Sequence, residues 1–201
     1  MERDKKIIIC IVAESGSGKT FVADYIAAKY NIYPIESRTT RPPRHKGESG
    51  HMWVTEQEFD TYAQENMIAF TEFGGCRYCC LIEDVTDPIM TYVIDEYGLK
   101  YLKRYFSNTF NIFAVRIIAD NIKRHKRVDR SRTSRDNGKF TIPLDEFDFC
   151  IFNDYDPIKT YKQVDSIINQ IITYELSSGN TGVCTCTHGA NPKQHSDCKR
   201  Y

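Results

Sequence analysis

The chain has 201 residues, enough for one ordinary domain with its own core. Lysine plus arginine and aspartate plus glutamate each total 27, so no global charge calls for nucleic acid or an anionic membrane surface as a partner. No apolar run approaches the roughly twenty residues that a membrane span needs. Met1-Glu2-Arg3-Asp4-Lys5-Lys6 leads straight into a predicted strand, without the pattern of a secretory leader.

In chain order, the first element is an almost unbroken apolar run, Ile7-Ile8-Ile9-Cys10-Ile11-Val12, which reads as a buried strand. Ala13-Glu14-Ser15-Gly16-Ser17-Gly18-Lys19-Thr20 follows, and then a predicted helix over 21–30 with Val22, Tyr25 and Ile26 at helical spacing. Strand, glycine turn and helix start, in that order, give a phosphate loop its physical meaning. Glycines let backbone N–H groups turn inward around an anion, and the helix N-terminus adds its positive end. Residues 13–20 are therefore the candidate ATP-binding loop, with Lys19 reaching the β- and γ-phosphates and the Thr20 hydroxyl ligating Mg²⁺. The first position of G-x-x-x-x-G-K-[ST] is Ala13, whose methyl group is tolerated where φ is negative. Eight cysteines would suit a secreted scaffold, but a loop that uses cytosolic ATP makes reduced thiols and a cytoplasmic location the expectation.

Residues 36–48 place Arg38, Arg41 and Arg44 around Pro42-Pro43, with Ser37, Thr39 and Thr40 beside them and Gly47-Glu48 after. Prolines hold the backbone extended, and guanidinium forks match phosphate oxygens in a bidentate way. A solvated basic loop is the bland alternative, but the separation from residues 13–20 suits a second phosphate site.

With these residues the chain resembles the guanylate kinase family: Ser-x-x-x-Arg-Pro-Pro-Arg with Gly-Glu after it, and a phosphate loop ending Ser-Gly-Ser-Gly-Lys-Thr. Further stretches are similar in the family's order. They are Val54-Thr55-Glu56-Gln57-Glu58-Phe59, the turn Phe73-Gly74-Gly75-Cys76-Arg77-Tyr78, the strand Tyr92-Val93-Ile94 with Asp95 at its tip, and Phe149 to Asn153-Asp154 near the adenine pocket. The resemblance implies a three-layer P-loop NTPase α/β fold with a central parallel sheet, an inserted lobe for the nucleoside monophosphate and an arginine-rich lid. The core falls over 1–36, 90–119 and 143–176, the lobe over 37–89 and the lid over 120–142. It implies Mg²⁺-dependent transfer of the ATP γ-phosphoryl group to a nucleoside monophosphate, with GMP expected, by a monomer or homodimer without nucleic-acid or membrane partners.

Carried over by position, Ser37, Arg41, Arg44 and Tyr78 hold the acceptor's phosphate, and Arg41 shares in catalysis. Asp95 stands at a strand's C-terminal end, where parallel sheets place ligands. It could orient Mg²⁺ through water, contact the acceptor, or simply cap the following helix. The departures fall on base recognition. The position of the family's guanine-reading Glu is Ala69, with Thr71 and Glu72 close by, and Glu72 could replace it if the loop is shifted. The turn's Gly-[Ser/Thr] pair is Cys79-Cys80, and the tyrosine of the first lobe turn aligns with His51. Losing a buried acceptor for guanine should cost about 1–3 kcal/mol of discrimination.

Leu99, Leu102 and Tyr105-Phe106 have helical spacing, and 111–118 is an apolar strand run. The basic cluster over 123–135 reads blandly as a solvated helix or an RNA-facing patch. In the family this place holds the lid, so Arg132 and Arg135 are the expected phosphoryl-stabilising arginines, three apart on one helical face, with Arg127 or Arg124 toward adenine. Phe147 to Phe152 reads as a strand ending at Asn153. Asp154 and Asp156 before Pro157 mark a helix start, continued by Ile158, Tyr161, Val164 and isoleucines to about 176. From 177 the chain turns polar, with Cys184, Cys186, His188, His195 and Cys198. These are enough soft ligands for zinc, but the spacing is not a common finger spacing, and a disordered terminus is favoured. A non-catalytic binding module and a nucleic-acid-end kinase are the rival classes. Intact Lys19, Thr20, Arg41 and Arg44 argue against the first.

Overall fold

A computed structural model describes residues 5–126 and 140–178. Strand β1 (Ile7–Val12) is buried along its whole length. It lies between β6 (Ile89–Val93) and β7 (Asn111–Ala119), and β8 (Phe149–Asn153) pairs with β7, giving a four-stranded sheet of order β6-β1-β7-β8 with every pairing parallel. A central strand covered on both faces can be apolar at every position rather than alternating. Ile7, Ile8, Ile9 and Ile11 are each at most 1 % exposed, and each contributes about 1.5–3 kcal/mol by leaving water. Beyond β6, residues 33–35 add a short parallel bridge: Ile35 N donates to Thr91 O at 2.8 Å and Thr91 N to Tyr33 O at 3.1 Å. Pro34 sits there, at the sheet's edge, where its missing N–H costs least.

The helices follow their capping signals. Helix α1 (Lys19–Tyr30) starts after Gly18, whose φ is 98°. The four-residue α2 (Glu56–Phe59) starts at Thr55, whose side chain accepts from Glu58 N. Helix α3 (Glu96–Phe106) is capped by Asp95, which accepts from Gly98 N at 2.7 Å. A Cβ on Gly98 would stand 2.7 Å from Ile94 Cγ1, so the helix approaches β6 there only because the residue is glycine. A short α4 (Asn121–His125) follows β7. Helix α5 (Pro157–Ser178) begins after Asp156, whose Oδ1 accepts from the amides of Ile158 and Lys159. In its first turns Thr160 and Val164 are buried and Tyr161 stacks on Tyr25 at 3.9 Å, but Ile158, assigned above to the apolar face, is 67 % exposed. It sits in the first turn, off the stripe.

A second sheet carries the predicted acceptor lobe. It comprises β2 (Ser37–Thr39), β3 (His51–Trp53), β4 (Met67–Phe73) and β5 (Cys76–Leu81) in the order β3-β2-β5-β4. Gly74 and Gly75, both at positive φ, make the two-residue hairpin turn between β4 and β5. One face of this sheet closes over Phe59, Met67, Cys79 and Leu81. From its other side Ile68, Ala69 and Cys80 enter the same core as Ile8, Cys10, Leu99 and Leu102. Arg77 ties α2 to β5, with its guanidinium 4.4 Å from the Phe59 ring and 2.6 Å from Asp60.

The chain divides into two compact units, Met1–Val164, which contains both sheets, and Asp165–Tyr201, whose described part is the later portion of α5. Among the described residues no helix is long and apolar enough to cross a membrane. Among the described residues Cys10, Cys76, Cys79, Cys80 and Cys150 form no disulfide, and burial pushes Cys79 up to about 11 and Cys10 to about 12. The predicted zinc ligands Cys184, Cys186, His188, His195 and Cys198 lie outside the described residues.

Candidate functional site

Residues 13–18 leave the C-terminal end of β1 and enter α1 through two left-handed glycines, Gly16 at φ 78° and Gly18 at φ 98°. Ala13 is not among the positive-φ residues, so its methyl group meets no backbone strain. Lys19 Nζ donates to Ala13 O at 2.7 Å and to Glu14 O at 3.1 Å, folding back over the loop. Thr20 is exposed in the first turn of α1. Ser17 is fully buried, and its hydroxyl has no hydrogen-bond partner among the described residues.

Three side chains from distant parts of the sequence brace this loop. Asn153, at the end of β8, donates to Ser17 O at 2.9 Å, and its own carbonyl accepts from Tyr155 N. Its Nδ2 stands 2.6 Å from where a Cβ on Gly18 would be, so the two positions interlock. Arg124, buried in α4, donates to Ser15 O at 3.2 Å and to Asn121 Oδ1. Arg116 in β7 donates to Glu14 Oε2 at 2.8 Å. Arg116 was not anticipated. Its signal was a lone charge within the apolar run 111–118, where a buried guanidinium must find a partner. The expected lid and adenine-side residues Arg127, Arg132 and Arg135 lie outside the described residues.

The residues expected to hold the acceptor's phosphate are organised around Glu48. Arg41 is 9 % exposed and donates to Glu48 Oε1 at 2.8 Å, to Oε2 at 3.2 Å and to Pro42 O at 2.8 Å. Arg44 adds its backbone N–H to Oε2 at 2.6 Å and its Nη1 to Oε1 at 3.2 Å. The Arg41 hydrogen bond, helped by the Arg44 amide, pulls the Glu48 carboxyl down to about 2. Against the burial that disfavours its charge, Arg41 is in turn held above its ordinary range by Glu48. Ser37 Oγ and His51 Nδ1 are 2.7 Å apart, and Tyr78 meets the His51 ring edge-on at 6.0 Å. Burial and the neighbouring Arg41 charge push the His51 imidazole below its ordinary value.

Ser37, His51, Ala69, Thr71, Tyr78 and Asp95 line a cleft of about 90 Å³ between the two sheets. Two sequence assignments change place there. Glu72 is exposed and outside the lining, because strand side chains alternate and Thr71, not Glu72, shares the inward face with Ala69. Cys80 is also outside the lining: it is fully buried in the core beside Ala69, its register partner, so its thiol serves packing. Asp95 Oδ1 accepts from both Gly98 N and Thr71 Oγ1 (3.2 Å), so it caps α3 while linking the lobe to the core.

Among the described residues no three His, Cys, Asp or Glu side chains converge as a metal cage. That donor set still fits Mg²⁺, which keeps several waters, takes phosphate oxygens and needs only one or two protein oxygens. Thr20, exposed in the first turn of α1, is the residue the sequence expects to supply one.

A glycine loop at the C-terminal end of a parallel sheet, entering a helix and braced from β7, β8 and α4, defines the P-loop α/β class of fold. The particular fold is the one seen in guanylate kinase. The crystal structure of guanylate kinase from Anaplasma phagocytophilum superposes with a TM-score of 0.58 at 20 % identity, covering 87 % of this chain and 88 % of that one. A guanylate kinase of Prochlorococcus marinus (strain MIT 9312) is 24 % identical over 182 residues, 86 % of this chain and 97 % of that protein. No protein-family model matches the chain.

Proposed function

We propose that the chain is an ATP-dependent nucleoside monophosphate kinase, converting ATP and GMP to ADP and GDP. The observation that carries this reading is the loop of residues 13–20, with Gly18 left-handed at the mouth of α1 and Lys19 folded over its carbonyls. The similarity to two guanylate kinases supports the choice of reaction.

The loop amides and Lys19 would hold the donor's phosphates, with Lys19 leaving the Ala13 and Glu14 carbonyls for the β- and γ-oxygens. Ser37, Arg41, Arg44 and Tyr78 would hold the acceptor's phosphate, neutralising its charge so that its oxygen can approach an electron-rich γ-phosphorus. Mg²⁺ at Thr20 would supply charge neutralisation on the donor's oxygens. No covalent intermediate is needed, because positioning and charge neutralisation account for the rate. His51, Thr71 and Asp95 would face the acceptor's base and sugar.

Ala69, where the resemblance expects a guanine-reading carboxylate, favours one second reading, a kinase of a different nucleoside monophosphate. Comparing kcat/KM for GMP, dGMP, AMP, CMP and UMP with Mg·ATP tests both. GMP as the best acceptor is the expected result. Preference for another base selects the second reading, and no transfer to any acceptor overturns the kinase assignment.

A further inference from the structure

Arg116 pairs in register with Val12, the residue that leads into the phosphate loop, and so enters the site beside the loop's first turn. Its side chain is 6 % exposed. Nη2 reaches Glu14 Oε2 at 2.8 Å, and the guanidinium carbon lies 3.1 Å from the centroid of the Phe140 ring, which covers one face. Nη1 is buried without a hydrogen-bond partner among the described residues. Burial alone pulls against this charge, and Glu14 is the acid bonded to it.

Glu14 is an awkward residue to carry in such a loop. Its backbone belongs to a concavity of N–H groups suited to phosphate, and its carbonyl already meets Lys19 Nζ at 3.1 Å. A carboxylate released at that point has two ways to harm donor binding. It can turn into the loop and take the amides and Lys19 for itself, or it can stand beside the triphosphate as an uncompensated like charge. Arg116 Nη2, bonded to Glu14 Oε2 from the next strand under an aromatic cover, stands against both.

We propose that Arg116 is a positioning residue for the donor site: it holds the Glu14 carboxylate out of the phosphate loop and neutralises it there, keeping the loop open to a nucleoside triphosphate. The proposal rests on the reading of residues 13–20 as a phosphate loop. It assigns the Glu14–Arg116 pair a role in nucleotide affinity rather than in folding alone.

The test is Mg·ATP and GMP binding by calorimetry to the full chain, with thermal melting alongside, for wild type, Arg116→Met and Glu14→Gln/Arg116→Met. Arg116→Met should weaken Mg·ATP about tenfold or more while leaving GMP affinity within about twofold, and adding Glu14→Gln should recover most of the loss. A scaffold role would show no such recovery, because the double variant still lacks the Arg116 packing. Unchanged Mg·ATP affinity in Arg116→Met, or a double variant as weak as the single one, overturns the proposal and leaves the phosphate loop standing. A wild type that binds no Mg·ATP overturns both. If Arg116→Met does not fold, Arg116→Lys carries the same comparison. It keeps the charge and the stem but not the fork, and should show a smaller loss that Glu14→Gln again relieves; no loss, or no relief, overturns the proposal.

Discussion

Arg41 and Glu48 form a two-pronged ion pair, at 2.8 and 3.2 Å, in which both side chains are about nine-tenths buried. The pair uses both terminal nitrogens of the guanidinium and leaves Arg41 Nε buried with no hydrogen-bond partner among the described residues. Glu48 thus fixes the orientation of the arginine proposed to hold the acceptor's phosphate.

Glu48→Gln should therefore raise KM for the acceptor about tenfold with little change in KM for Mg·ATP, as steady-state kinetics with each substrate varied would show. The pH dependence of stability follows from the same pair. The folded-state value of Glu48, about 2, lies below its ordinary 4.5, so its contribution is complete above 4.5 and disappears as pH falls toward 2. Thermal melts should show the wild type's advantage over Glu48→Gln closing across that window. An advantage that stays constant through it would contradict the pairing.

Lys19→Ala should reduce turnover by roughly 10³-fold or more with every acceptor while the protein stays folded, since the bonds from Lys19 Nζ to the Ala13 and Glu14 carbonyls lie within the loop and not in the core. Single-turnover kinetics and circular dichroism check the two halves of this statement. Near wild-type rates would remove the phosphate-loop assignment.

Gly18→Ala forces a left-handed φ of 98° on a residue with a side chain and drives its methyl group to 2.6 Å from Asn153 Nδ2. The expected result is a loss of about 1–3 kcal/mol in chemical denaturation together with weakened Mg·ATP binding. Asn153→Ala removes the obstacle and the bond to Ser17 O but not the backbone strain, so the double variant should regain only part of the stability. Full recovery would show that the clash alone matters.

Ala69→Glu should raise the ratio of kcat/KM for GMP over that for AMP, because Ala69 lines the cleft opposite Asp95 on the inward face of β4. Ala69 is also 3 % exposed, so a carboxylate there should lower stability by about 1–3 kcal/mol. An unchanged acceptor ratio in folded protein would mean that the base sits elsewhere.

The local pieces of this protein were written in short stretches of its sequence. Ile7–Val12 could only be a strand buried on both faces, and residues 13–20 a glycine turn opening a helix. Gly74-Gly75 lay in a stretch that resembles a turn of the family, and Asp156 before Pro157 marked a helix start. Each depends on neighbours a few residues away, through propensity, capping or positive φ. Partnerships across the fold were not legible. That Glu72 points out while Thr71 points in is a matter of strand register, where one residue's shift reverses every side chain. That Cys80 belongs to the core was decided when two sheets packed together, that Glu48 occupies the fork of Arg41 by the closing of one loop, and that Arg116 reaches Glu14 from 102 residues away by the pairing of β7 with β1. Burying a charge requires a partner, and nothing in a linear pattern names which one the fold will bring.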